Sequence, residues 1–160
     1  MKTALEIERK FLLKSLPFTK GGFETILEIE QFYIKGLGES PGFRVRKTKA
    51  KSSGNVTYTK TIKKNLKPGV YEETEGDITA LEYYEMAATA YKRIEKTRYV
   101  KKEGKLKWEI DVYPFKLVVA EIELPKEDYP LILPAFIRDN LIMEVTAYKE
   151  FTNKALAETL

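Results

Sequence analysis

The chain contains no cysteine and no histidine. The absence of cysteine excludes disulfide bonds and thiolate metal sites. The absence of histidine excludes imidazole ligands, Ser-His-Asp triads and a histidine general base. A catalytic metal would therefore need oxygen ligands, which favours Mg²⁺, Mn²⁺ or Ca²⁺.

Long hydrophobic runs are also absent. No stretch approaches the roughly 20 apolar residues that span a membrane, and the N-terminus runs directly into a charged segment without an apolar signal. We therefore expect a cytoplasmic protein that does not bind membranes.

The composition fits one charge-rich folded domain over residues 1–160, with 43% hydrophobic and 32% charged residues. The net charge is only +4, and lysine and glutamate are intermixed rather than collected in runs. This pattern favours a site for a small anion over an extended nucleic-acid surface.

Like-charged residues recur two positions apart. In a β-strand such residues point to the same face, and grouping them is costly unless opposite charge compensates them. For any single pair, a solvent-exposed strand face is the simpler interpretation. Acidic pairs and basic pairs lie on different predicted strands, however. This segregation favours a shared interior in which acidic strands, basic strands, a metal and a polyanion compensate one another's charge. The pairs are Glu6 and Glu8, Arg44 and Arg46, Glu73 and Glu75, Lys96 and Arg98, Glu109 and Asp111, and Glu121 and Glu123.

Alternating patterns and turn signals predict eight strands, mostly in hairpin order. Their ranges are 3–13, 29–35, 43–49, 56–62, 70–75, 92–103, 105–113 and 115–124. This indicates an α+β protein built on a sandwich or a closed antiparallel barrel. If the charged faces point inward, the apolar outer faces need cover from helices or from a partner, which allows a homodimer.

Several shorter segments complete the prediction. A helix is expected over residues 79–91, with Asp77 as N-cap and an apolar stripe of Leu81, Tyr84, Ala88 and Tyr91. The remaining expectations are a short helix or loop over 24–28, a turn and short helix over 130–140, a short strand over 142–146 and a helix over 152–160.

The order of the charged motifs resembles the CYTH, or triphosphate tunnel metalloenzyme, superfamily. Glu6, Glu8 and Lys10 form its E-x-E-x-K pattern, and the other motifs follow in order along almost the whole chain. They are the R-x-R of 44–46, the lysine strand ending at Lys60, the E-x-E of 73–75, the K-x-R of 96–98, the acidic strands 108–111 and 120–124, and a closing signature over 144–157 with Phe151 in place of tyrosine.

This resemblance implies a closed eight-stranded antiparallel barrel whose charged tunnel binds a triphosphate and Mg²⁺ or Mn²⁺. Phosphate oxygens would be bound by Lys10, Arg44, Arg46, Lys60, Lys96 and Arg98. The metal would be held by Glu6, Glu8, Glu121 and Glu123. Glu75, Glu109 and Asp111 would be catalytic and, together with Glu73, would hold a second metal, orient the basic residues or position water.

The expected activity is metal-dependent hydrolysis of a triphosphate, with inorganic tripolyphosphate as the substrate because no base-recognition element is evident. The alternatives are a class IV-type adenylate cyclase, a nucleoside or thiamine triphosphatase, and a non-catalytic polyphosphate-binding module. Trp108 could stack on an organic ring, but its alternation places it opposite the acidic residues.

Overall fold

The fold is a closed antiparallel β-barrel, seen in a computed structural model that describes residues 1–17 and 22–160. Around the barrel the strand order is β6-β2-β3-β4-β5-β1-β8-β7, and β7 pairs with β6 to close it. The barrel strands are β1 (Lys2–Leu13), β2 (Thr25–Ile34), β3 (Phe43–Ala50), β4 (Val56–Lys67), β5 (Val70–Asp77), β6 (Lys92–Glu103), β7 (Leu106–Val112) and β8 (Val118–Glu123). The predicted α+β class and eight-stranded barrel are confirmed.

Two short strands extend the sheet beyond the closed ring. Strand β9 (Leu141–Glu144) pairs with the end of β1, and β10 (Glu158–Thr159) pairs with the start of β6. Helix α1 (Ala80–Ala87) follows β5, and α2 (Ala135–Arg138) precedes β9. A 3₁₀ turn (Lys149–Phe151) and α3 (Asn153–Leu156) follow β9. Among the described residues, no helix is long and apolar enough to cross a membrane.

The main hydrophobic core lies outside the barrel wall. Phe11, Trp108 and Ile122 point away from the interior and pack beneath Ile137 of α2. The Phe11 and Trp108 ring centroids are 5.7 Å apart. Helix α2 thus supplies the cover that the apolar outer faces require, and Trp108 is structural in this arrangement.

Helix α1 differs from its prediction in both its cap and its buried face. Thr79 is the N-cap and forms a reciprocal capping box with Glu82, whereas Asp77 is the last residue of β5. Tyr83 is fully buried, while Leu81 and Tyr84 of the predicted apolar stripe are exposed. The Tyr83 hydroxyl donates a 2.7 Å hydrogen bond to Glu30, which fastens the helix to β2.

The ends of the elements also differ from the predictions. Residues 25–28, expected as a helix or loop, belong to β2, and the predicted C-terminal helix is divided into α3 and β10. Strand β8 begins at Val118, because Lys116 adopts a positive φ of 62° in the preceding turn. The C-terminal segment closes one end of the barrel, where Leu156 and Ala157 pack with Tyr33 and Tyr113.

Candidate active site

The barrel interior contains a charged cavity of about 350 Å³. Alternation along each strand directs the charged residues inward, and the pairing of Lys10 with Glu121 and of Arg44 with Thr61 sets opposite or polar groups across from one another. The charged and polar groups that line the cavity include Glu8, Lys10, Arg44, Thr61, Lys63, Asn65, Tyr71 and Glu121.

The same cavity also has an apolar and aromatic part of its lining, formed by Ile34, Pro41, Phe43 and Tyr91. Thr152–Lys154 complete the lining. The cavity therefore offers both charged groups and a surface that can contact an uncharged group.

A buried ion-pair network forms one wall of the interior. Arg98 donates from Nε to Asp111 Oδ1 at 2.7 Å and from Nη2 to Asp111 Oδ2 at 2.9 Å, while its Nη1 donates to Glu109. Lys96 Nζ donates to Asp111 Oδ2 at 2.7 Å. Burial raises the pKa of Asp111, but the charges of Arg98 and Lys96 outweigh it and hold that pKa below its usual range. Asp111 therefore stays ionised and fixes the two cations.

The two arginines of β3 are held in different ways. Arg46 Nε donates a 2.8 Å hydrogen bond to Gln31, and burial together with the charges of Arg44 and Arg98 lowers the pKa of Arg46 to about 9. Arg44 Nη2 donates to Thr61 at 3.0 Å and lies 3.5 Å from Glu75. Arg44 Nε is buried and has no hydrogen-bond partner among the described residues. Such a donor is costly to bury unless an acceptor reaches it.

The acidic side of the cavity carries incompletely compensated charge. Lys10 Nζ lies 3.2 Å from Glu121, and Arg98 Nη2 lies 3.6 Å from it. Burial and the charge of Glu121 raise the pKa of Glu8 to about 8. Burial and the charge of Glu6 raise the pKa of Glu73 to about 7. These raised values mark carboxylates that a further positive charge would stabilise.

The donor chemistry of this side suits a hard divalent cation, since all candidate ligands are carboxylates. Glu6 Oε1 is buried, and the ammonium group of Lys63 is the close positive charge beside it. Within residues 1–17 and 22–160, however, no three acidic side chains are grouped closely enough to hold a metal ion. Lys63 Nζ lies 2.7 Å from Glu6 and 3.8 Å from Glu8, where it provides positive charge. Metal binding by Glu6, Glu8, Glu121 and Glu123 stays a prediction.

The structure brings most of the predicted site residues to the interior but not Lys60. Val45 pairs with Lys60, so Lys60 lies on the outer face, and its Nζ is 4.2 Å from the centre of the Phe43 ring. The interior face of β4 instead carries Thr61 and Lys63. The prediction ended this strand at residue 62, which left Lys63 outside it; the strand continues to Lys67.

Several interior residues carried no signal in the sequence analysis. Gln31 and Tyr33 look like ordinary strand residues, although Gln31 Nε2 donates to the Tyr33 hydroxyl at 3.0 Å. Asn153 reaches the interior from α3 and accepts hydrogen bonds from Lys96 and Tyr113. The alternation of β2 could not have identified Gln31 and Tyr33, because the charged residue Glu30 lies on the opposite face, where it contacts Tyr83. Asn153 depends on how the C-terminal segment folds back.

No protein-family model matches the chain, and no curated protein matches it. Solved structures do match it in three dimensions. The PH1819 protein of Pyrococcus horikoshii OT3 superposes with a TM-score of 0.61 at 19% identity, covering 77% of this chain and 80% of that one. A conserved hypothetical protein of Pyrococcus furiosus gives a TM-score of 0.55 at 20% identity, with the same coverage of 77% and 80%.

A third match is a Bacillus halodurans protein that carries the provisional name adenylate cyclase. It gives a TM-score of 0.51 at 13% identity, covering 81% of this chain and 85% of that one. Similarity at these identities establishes a shared fold. The chain therefore shares its fold with these three proteins, and that fold includes the closed eight-stranded barrel predicted from the sequence.

Proposed function

We propose that the protein is a metal-dependent triphosphatase that hydrolyses inorganic tripolyphosphate inside its barrel. The observation that carries the proposal is the convergence of Lys10, Arg44 and Lys63, from three separate strands, on one cavity that also contains the carboxylates of Glu8 and Glu121. Arg46, Lys96 and Arg98 lie behind this cavity in the buried network of the barrel interior.

The basic groups suit a polyphosphate. A triphosphate carries about four negative charges, and guanidinium groups bind phosphate oxygens through two parallel hydrogen bonds. Arg44 lines the cavity with a buried, unused Nε donor among the described contacts. Lys10 Nζ also lines it and is held by Glu121 and by the Phe151 carbonyl oxygen. A phosphate chain would give Arg44 Nε the acceptor that it lacks among the described residues and would add a second anionic partner beside Lys10.

The predicted catalytic carboxylates support this by orienting cations. Asp111 and Glu109 hold Arg98, and Glu75 accepts a 2.7 Å hydrogen bond from Thr61, which also contacts Arg44. Charge that develops on the transferred phosphoryl group would meet cations that are already in place. Mg²⁺ or Mn²⁺ bound by Glu6, Glu8, Glu121 and Glu123 would supply charge neutralisation and activate water.

The test is phosphate release from tripolyphosphate with Mg²⁺ and with Mn²⁺. We expect turnover by the wild type and a loss of at least about 100-fold in Glu8→Gln, because weakening the bound metal removes electrostatic stabilisation of the reacting phosphoryl group, which typically costs this much. Glu95→Gln is the matched control, since Glu95 is an exposed glutamate that does not line the cavity. Release by the wild type no faster than by Glu8→Gln would contradict the proposal.

An organic triphosphate is the second candidate, and the apolar part of the cavity lining favours it. Ile34, Phe43 and Tyr91 could contact a base or another ring beyond the phosphates. The same assay with ATP and thiamine triphosphate separates the cases. Cyclic AMP would indicate a class IV-type cyclase, ADP or thiamine diphosphate would indicate an organic triphosphatase, and saturable binding without turnover would indicate a polyphosphate-binding module.

A further inference from the structure

Lys63 lies between the two carboxylates that begin the E-x-E-x-K pattern. Its Nζ is 2.7 Å from Glu6 Oε1 and 3.8 Å from Glu8 Oε1. The same ammonium lies 4.1 Å from the centre of the Tyr71 ring, which gives it a third favourable contact. Lys63 is therefore the nearest positive charge to both residues in the described structure.

We propose that Lys63 is an internal counterion that a divalent cation must displace from Glu6 and Glu8. The proposal rests on the proposed function in taking these two residues as metal ligands. An ammonium and a divalent cation that share one carboxylate pair repel each other, and this repulsion is strong in a partly desolvated site. Displacement of Lys63 is thus part of metal binding.

The displaced side chain has somewhere to go. Lys63 has four rotatable side-chain bonds and lines the same cavity as Lys10 and Arg44, where a phosphate chain would bind. When Lys63 moves to the phosphate chain, it exchanges the carboxylates of Glu6 and Glu8 for phosphate oxygens. Lys63 is in this sense a positioning residue that links the two halves of the site.

The exchange couples the two ligands. An anion that draws Lys63 away favours metal binding, and a metal that releases Lys63 favours anion binding by the same factor. In the absence of anion, Lys63 weakens metal binding. The structure thus accounts for a site that is completed only when metal and polyphosphate are both present.

The first test is calorimetric titration of the metal-free full chain with MnCl₂ alone. Lys63→Met should bind Mn²⁺ at least about tenfold more tightly than the wild type, since a change of this size needs only about 1.4 kcal/mol. Lys64→Met is the matched control, because it removes the same charge from the adjacent exposed residue. Equal or weaker binding by Lys63→Met than by Lys64→Met would overturn the proposal.

The second test uses the wild type and so does not depend on the folding of a variant. Acetylation of Lys63 by acetic anhydride, measured by mass spectrometry against Lys64, should increase when saturating Mg²⁺ is added. Unchanged labelling would also overturn the proposal. If the protein hydrolyses tripolyphosphate but shows neither tighter Mn²⁺ binding in Lys63→Met nor increased acetylation of Lys63, only the role of Lys63 is rejected. If both effects are seen without hydrolysis, the proposed function is rejected and the role of Lys63 is retained.

Discussion

At the scale of single residues, Asp111 stands out because it is nearly fully buried and is contacted by two cations. Its two carboxylate oxygens accept hydrogen bonds from Arg98 and Lys96, and only 1% of the residue is exposed. Removing one partner of such a network leaves an uncompensated buried charge, which strongly lowers the free energy of unfolding.

Asp111→Asn should therefore destabilise the protein by about 3–5 kcal/mol. Urea denaturation at neutral pH measures the change in the free energy of unfolding. Glu95→Gln is the control, because Glu95 also pairs with an arginine but is exposed on the outer side. If Asp111→Asn lowers the free energy of unfolding no more than Glu95→Gln does, Arg98 and Lys96 find other partners in the variant.

The contribution of Asp111 to stability should also appear in the pH dependence of unfolding at acidic pH. The pKa of Asp111 is lowered in the folded protein, so its stabilising contribution is present above its ordinary pKa and is lost as pH falls toward the folded value. The free energy of unfolding of the wild type should thus decrease as pH falls below about 4. Urea titrations at several acidic pH values should show a shallower decrease in Asp111→Asn, and parallel curves would contradict this assignment.

At the scale of elements, the sequence predicted the strands better than the helices. A strand with one charged and one apolar face shows period-two alternation, so β1, β3 and β6 were recognisable from Glu6, Arg44 and Lys96. The N-cap of α1 was predicted wrongly as Asp77. Asp77 and Thr79 are both good N-cap residues, and the choice between them depends on where β5 ends.

The cap of α1 can be tested directly. Thr79→Ala should lower the free energy of unfolding by about 1 kcal/mol, because the Glu82 amide loses the acceptor of its 3.1 Å hydrogen bond. Asp77→Ala should have little effect, since Asp77 ends a strand instead of capping the helix. Chemical denaturation of both variants checks this, and the opposite order of effects would restore Asp77 as the cap.

Strand β4 shows why the site was only partly predictable. Alternation fixes which residues share a face, but the sequence does not mark which face is the interior when both carry lysines. Lys60 and Lys63 are separated by an odd number of positions and therefore lie on opposite faces. Only the pairing of Arg44 with Thr61 decides that Lys63 is inside.

This assignment predicts different phosphate affinities for two lysine variants. Lys63→Met should weaken tripolyphosphate binding at least about tenfold without metal, the loss expected from one charge-assisted contact of about 1.5 kcal/mol. Lys60→Met should leave it within about twofold, a change of only a few tenths of a kcal/mol. Calorimetry in the presence of a chelator measures both, and equal losses would mean that binding reflects net charge rather than the interior face.

At the scale of the whole molecule, the barrel reverses the usual distribution of residues. Charged side chains fill its interior, and the main apolar core, including Trp108 and Ile122, lies outside the wall beneath α2. The charged interior is stabilised by ion pairs such as Lys96–Asp111, and the apolar outer layer keeps the wall closed. This division explains how a charge-rich sequence can form a stable fold around a polar cavity.

The contacts by which the C-terminal segment packs against one end of the barrel could not be predicted from the sequence. The contacts of Asn153 with Lys96 and Tyr113 join residues that are 57 and 40 positions apart. Phe151 and Leu156 pack against the cluster around Tyr33 and Ile94 at one end of the barrel. No local pattern encodes these contacts, because they depend on where the C-terminal segment meets the finished barrel.

If the barrel interior binds a triphosphate, calorimetric titration with tripolyphosphate should show saturable binding of one tripolyphosphate per chain. Binding should be at least about tenfold weaker in Arg44→Met and unchanged in Arg138→Met, because Arg44 lines the cavity with an unused buried donor and Arg138 lies exposed on α2. No saturable binding, or equal weakening in the two variants, would contradict triphosphate binding in the interior.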